Sequence, residues 1–297
     1  MPLNSHHARL LRQATLASLA VACILIVAKG IAWWLSGSVS LLAGLTDSLL
    51  DGAASLLNLL AVHYALRPAD EDHRYGHGKA EALSAMAQAL FIAGSAVLIG
   101  VQAAERLQQP QVLEGTRLGI AVMLLALALT AALLLFQHRV IRLTGSTAIR
   151  ADSLHYRSDL LLNTSILVAL VLAGFGWTRV DALFGLGIAA YILWSAVTIA
   201  REAVAVLMDQ ELPSEVSARM LELAQSVPGV LAVHDLRTRV SGTRWFVQLN
   251  LELPGELSLT AAHERCVQVE TAIRAQYPRA EVLVHADPAG AHAQDAD

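Results

Sequence analysis

Long apolar runs, separated by short polar or charged links, fill the chain from near its start to about residue 206. Six of them, near residues 12–35, 39–66, 81–107, 115–141, 149–173 and 179–206, exceed the ~20 residues an α-helix needs to cross a bilayer core. The pattern therefore predicts six transmembrane helices. The first four carry few interior charges, whereas the last two are broken by polar residues at particular places. From about Pro213 the pattern becomes that of a small soluble domain. A helix over 213–227 is ended by Pro228 and Gly229, and residues 230–240 and 244–253 read as a hairpin around Ser241 and Gly242. In the second of these strands Trp245, Val247, Leu249, Leu251 and Leu253 share one face, and Gln248, Asn250 and Glu252 share the other. A helix over 258–276 and a strand over 280–286 complete an α-β-β-α-β order. The predicted fold class is thus a polytopic α-helical membrane protein with a C-terminal α+β domain. Its divisions are a six-helix transmembrane domain over 1–208, a cytoplasmic domain over 209–290 and a disordered tail over 291–297.

Composition agrees with the membrane class. Charged residues make up 15% of the 297 positions, below the quarter typical of soluble proteins. The net charge of -4 supplies no basic patch for nucleic acid. Two cysteines, Cys23 and Cys266, one in an apolar run and one in the polar tail, cannot build a disulfide framework or a CxxC site. Residues 20–23 loosely resemble a lipoprotein cleavage site, but the apolar run continues through Trp33 and Trp34, too far for a signal peptide. An uncleaved first membrane helix is expected.

Charge in the links orients the spans. Arg9 and Arg12 precede the first, Arg67, Arg74 and Lys79 follow the second, and Arg139, Arg142 and Arg150 surround the link after the fourth. The opposite links, with Ser36–Ser38 uncharged, offer little beyond Arg106, Arg117 and Arg179. Positive links stay in the cytoplasm, so both termini are expected inside, in a bacterial inner membrane.

Two apolar runs contain paired ionisable residues. Asp47 and Asp51 lie in the second, His155 and Asp159 in the fifth. Each pair is spaced i, i+4 and so occupies one helix face. At ~1.5 Å per residue, Asp47 and Asp51 fall roughly 12 and 18 Å below the outer end of their span. His155 and Asp159 fall roughly 9 and 15 Å above the inner end of theirs, so all four sit near mid-depth of a core ~30 Å thick. An ionisable group there costs roughly 2.5–3.5 kcal/mol on the mildest scale, and no structural role in the sequence offsets four of them. Three carboxylates and one imidazole suit a tetrahedral zinc ion and also admit ferrous iron or another late first-row ion. In the link after the second span, Asp70, His73 and His77 lie within eight residues. They fit either a metal whose shell is completed by water or an ordinary charged loop. In the tail, His285 and Asp287 are two apart and point to one side of a strand. His234 begins another strand, and His263 sits on the second helix.

The segments Asp47–Asp51, Asp70–Glu81 and His155–Asp159 closely resemble those of the cation diffusion facilitator family, above all its bacterial zinc and ferrous-iron efflux branch. The resemblance covers nearly the whole chain. It implies a homodimer that exports divalent metal ions in exchange for protons. It also implies a transport site at Asp47, Asp51, His155 and Asp159, in which an initial Asp rather than His accompanies selectivity broader than zinc alone, open to iron, cadmium, cobalt and nickel. It assigns a second metal site to Asp70, His73 and His77, and a binuclear regulatory site near the dimer contact to His234, His263, His285 and Asp287. Here the chain departs from its relatives, because Asn250 stands where they carry His. Amide oxygen is a poor zinc ligand beside imidazole, so one of the two metals is expected to bind weakly or not at all. Finally, the resemblance implies that Lys79 and Asp209 interlock across the dimer, a pairing that would fix register.

The expected function is proton-coupled metal export by alternating access, with Zn2+ or Fe2+ as cargo and as regulatory metal of the cytoplasmic domain. Metal binding needs a neutral imidazole and ionised carboxylates, and so releases protons. The unperturbed imidazole pKa of ~6.5 makes His155 the expected proton carrier. A passive cation channel would instead need acidic rings along a pore. A membrane-embedded metalloenzyme would need an open metal position, and no HExxH or nucleophile–base arrangement accompanies these ligands.

Overall fold

Six long helices and a separate α/β unit make up the computed structural model, which describes residues 5–37, 39–108, 117–173 and 180–290. The helices are α1 (Ser5–Ser36), α2 (Val39–Ala65), α3 (Ala80–Gln108), α4 (Arg117–Thr144), α5 (Thr147–Ala173) and α6 (Val180–Leu207). They match the six predicted runs closely at both ends, although α1 starts seven residues earlier than expected. Residues 115, 116 and 179 of the predicted spans lie outside the described residues, as do Ser38 and Arg179 of the outer links and the predicted disordered tail over 291–297.

Two helix ends use one device. Gly37 and Gly145 adopt φ of 63° and 68°, and their N–H groups return to Trp33 O and Ile141 O at 2.8 Å. A left-handed residue just past the last turn satisfies a carbonyl that would otherwise be orphaned, and glycine takes that conformation without a Cβ penalty.

Helices α1, α2, α3, α4 and α6 each hold an apolar window long enough to cross a bilayer. Helix α5 is equally long, at 27 residues, but Arg150, Asp152, His155, Arg157 and Asp159 occupy its first half. The helical surface is inverted relative to that of a soluble protein. Trp34, Leu135 and Trp194 are 82%, 77% and 68% exposed, as side chains facing lipid should be. Small residues line the interior instead. Ala85, Ala89 and Ala96 of α3 pack with Ala151 of α5 and with Ala196 and Ala203 of α6, letting backbones approach closely where no hydrophobic drive favours helix association. Several hydroxyls inside the spans are satisfied locally, as Thr15 donates to Leu11 O and Ser158 to Leu154 O, one turn back.

The chain divides into compact units over Met1–Val204 and Ala205–Asp297. In the second unit, α7 (Ser214–Gln225), β1 (Ala232–Ser241), β2 (Arg244–Leu253), α8 (Leu259–Gln276) and β3 (Ala280–Pro288) follow the expected α-β-β-α-β order. Strand β2 is central, antiparallel to β1 and parallel to β3. The predicted alternation holds, since Val247, Leu249, Leu251 and Leu253 are buried against Met220, Val269 and Ile273. Burying the side chains of one β2 face against two helices gives this sheet its core. Ser258 caps α8 by accepting from Ala261 N at 3.2 Å. A bulge in β1 between His234 and Arg237 accompanies Asp235 at φ 51°.

Candidate metal centre

Helices α2 and α5 bring the intramembrane donors together. His155 Nε2 lies 2.8 Å from Asp51 Oδ1 and 3.9 Å from Asp159 Oδ2. One ligand atom from each of the three residues falls within 4.8 Å of the others. The His155 and Asp51 side chains are each 12% exposed and Asp159 is 22% exposed. Two carboxylates and an imidazole gathered this closely are donors of the type that can close on one ion. The fourth expected ligand, Asp47, lies one turn earlier on α2 and stands outside this tight trio.

A third helix adds a charge that the sequence reading passed over. Lys29 of α1 donates through Nζ to Gly44 O at 3.0 Å and to Ser48 Oγ at 2.7 Å. The available signal was a lone lysine inside an otherwise apolar run.

Next to the trio lies a buried polar network, also absent from the sequence reading. Asp152 precedes His155 by one turn of α5 and is 1% exposed. Its Oδ2 accepts from Ser18 Oγ of α1 at 2.5 Å and from Gln137 Nε2 of α4 at 2.7 Å. Tyr156 OH donates to Ser18 O at 3.0 Å and lies 2.9 Å from Ser55 Oγ of α2. Helices α1, α2, α4 and α5 are therefore held together by hydrogen bonds beside the candidate ligands. A buried network of this kind fixes rotation about the helix axis, because breaking it strands polar groups away from water. The i, i+3 spacing of Asp152 and His155 was the legible clue. At the start of α3, the buried Glu81 accepts from Ser146 Oγ at 2.6 Å. Ser146 also caps α5, accepting from Ile149 N at 3.3 Å.

The loop cluster is compact. Asp70 Oδ1 lies 3.2 Å from His73 Nδ1, and Asp70 Oδ2 lies 3.2 Å from His77 Nε2. Asp70 also accepts from His73 N at 2.7 Å, and that backbone hydrogen bond holds its carboxyl below the usual carboxylate range. His77 is 2% exposed and His73 50%. His77 Nδ1 is buried with no hydrogen-bond partner among the described residues, and its edge packs on Tyr64. Asp70, His73 and His77 each offer a ligand atom within 4.8 Å of the others, donors of a type that suits a divalent metal.

In the cytoplasmic unit, Asp287 is the meeting point. His285 Nε2 lies 3.0 Å from Asp287 Oδ1, and His234 Nε2 lies 3.6 Å from Asp287 Oδ2. The sheet register pairs Asn250 with both His234 and His285. Asn250 therefore stands between two histidines in one cross-strand row, where a donor of the right type would join them. His263 is exposed on α8 and forms no ion pair with these residues among the described ones. Asp209, at φ 55°, lies 3.5 Å from Arg239 Nη1. Lys79 directly precedes α3.

Residues 15–208 match the cation efflux transmembrane domain and residues 212–289 the cytoplasmic domain of cation efflux proteins. The cation-efflux pump FieF of Klebsiella pneumoniae is 48% identical over 286 residues, spanning 96% of this chain and 95% of the relative. That of Yersinia enterocolitica is 49% identical over the same length and shares. Among solved structures, the zinc form of CzrB is 32% identical over 28% of this chain and 96% of its own, with a TM-score of 0.27.

Proposed function

The chain belongs to the cation efflux family, and from that membership we propose that it exports a divalent metal ion from the cytoplasm in exchange for protons, with zinc or ferrous iron as cargo and cadmium, cobalt and nickel as further passengers. It is a membrane transporter of metal cations and not an enzyme. The transport site comprises Asp47, Asp51, His155 and Asp159. One observation carries this reading: His155 Nε2 and Asp51 Oδ1 meet at 2.8 Å although 104 residues separate them in sequence.

The same contact supplies a mechanism. A proton shared between imidazole nitrogen and carboxylate oxygen occupies the atoms that would grip the ion, so proton and metal compete for one place. Export against 100 mV, inside negative, costs roughly 4.6 kcal/mol for a divalent ion at ~2.3 per charge. A passive path would therefore carry the ion inward, and inward proton flow supplies the work. In alternating access the site loads from the cytoplasm, α2 and α5 re-orient, and protons entering from outside evict the ion. The Asp152 network, which fixes α5 against α1 and α4, keeps the donors in register during that movement.

The domain plan is a six-helix transmembrane part over 1–208, a cytoplasmic part over 209–290 and a short tail over 291–297, in a bacterial inner membrane with both termini inside. Asp70, His73 and His77 hold a second metal at the inner face. His234, His285 and Asp287, joined by His263, hold regulatory metal in the cytoplasmic domain, with one position weakened by Asn250. The domain pairs two copies, and Lys79 and Asp209 interlock between them.

The test is zinc flux in proteoliposomes under an imposed pH gradient. Asp51→Ala should abolish flux, and His155→Ala should remove its dependence on the proton gradient. Proton-driven flux unchanged in both variants would overturn the site and its coupling together.

A further inference from the structure

We propose that Lys29 is a charge-balancing and positioning residue of the transport site, so that the ion is carried by a cluster drawn from three helices rather than two. This inference rests on the transport reading above. Lys29 lies seven residues before the end of α1 at Ser36, roughly 10 Å into the membrane at 1.5 Å per residue. A lysine at that depth ordinarily extends its stem toward the nearer interface. This one is held sideways against α2. A Cβ built on Gly44 would meet Lys29 Cδ and Nζ at 3.9 Å, an ordinary van der Waals distance, so the stem lies alongside α2 at this position. The ammonium donates to Gly44 O and to Ser48 Oγ, and Ser48 directly follows Asp47. Two of its three N–H donors are thereby committed to the helix that carries Asp47 and Asp51.

Charge gives this placement its purpose. Asp47, Asp51 and Asp159 together carry three negative charges, and a divalent ion neutralises two. The loaded site would move through the low-dielectric interior as a net anion, a state that is strongly disfavoured there. The fixed positive charge of Lys29, held on α2 by Gly44 O and by Ser48, the neighbour of Asp47, brings the loaded cluster to neutrality. A site balanced in this way holds a divalent ion without residual charge, whereas a monovalent ion leaves it negative and a trivalent ion leaves it positive. Lys29 thus contributes to valence selection without touching the ion.

Zinc transport by the full-length protein in proteoliposomes, measured against zinc concentration, tests this. Lys29→Met leaves the carboxylates more attractive to zinc but the loaded site anionic. Apparent KM should therefore fall roughly tenfold while kcat falls at least as far. Lys29→Arg, which keeps the charge, should stay within about twofold of wild type on both. Unchanged KM and kcat in Lys29→Met would make the lysine a mere interfacial anchor. A Lys29→Arg variant as defective as Lys29→Met would make it a packing residue. Either result overturns the inference while wild-type flux, abolished by Asp51→Ala, leaves the transport reading standing. Wild-type vesicles without zinc flux would overturn both.

Discussion

The intramembrane trio and the loop cluster are built from the same donors in opposite ways. Asp70, His73 and His77 come from eight consecutive residues, and short-range hydrogen bonds, His73 N to Asp70 and Gly76 N to His73 O among them, set their geometry. Asp51 and His155 come from helices 104 residues apart, and their meeting depends on how α5 is rotated within the bundle. The loop cluster is locally encoded and half open to water. The trio is globally encoded and largely enclosed. A global site inherits every constraint on the helices that carry it, which suits a site that must change its access. A local site can keep its geometry while the helices around it move.

The largest expected effect separates these two cases. Asp152→Ala leaves Ser18 and Gln137 without their shared acceptor, and should destabilise the helical unit by roughly 2–4 kcal/mol. Thermal unfolding of the detergent-solubilised protein checks this, with Asp152→Asn, which keeps an acceptor oxygen, losing less. Zinc binding by the loop cluster below the unfolding transition should be unaffected, and its loss would break the distinction between local and global sites. Next in size, His77→Ala should weaken metal binding at the loop by roughly tenfold to a hundredfold. His73→Ala, at the exposed position, should cost clearly less, as calorimetry on both variants would show. The smallest change is a gain: Asn250→His should raise zinc affinity of the cytoplasmic unit by completing the row with His234 and His285. An unaltered affinity would mean that the row is not a metal site.

Most of the architecture was legible because its signals are periodic. Apolar runs of spanning length gave six helices, and the alternation of Val247, Leu249, Leu251 and Leu253 gave the buried face of β2. The i, i+4 pairs marked both helices of the trio, because ionisable groups stand out against a lipid-facing background. What stayed hidden depends on rotation and on partners far away in sequence. Asp152 is three residues from His155, but only the packing of α1 and α4 against α5 shows Ser18 and Gln137 satisfying it. Lys29 reads as an isolated lysine until α2 is laid beside α1 with Gly44 opposite. Asp47 reads as an equal of Asp51, yet one helical turn leaves it outside the tight trio. Asn250 departs from the family's pattern, and the sheet register places it directly between two histidines.

The most direct measurement is zinc-edge X-ray absorption on the full-length protein with the loop and cytoplasmic donors replaced. The account predicts one bound zinc with a single imidazole and oxygen donors at roughly 2.0–2.2 Å, and loss of the imidazole signal in His155→Ala. A spectrum without an imidazole, or one that His155→Ala leaves unchanged, would contradict it.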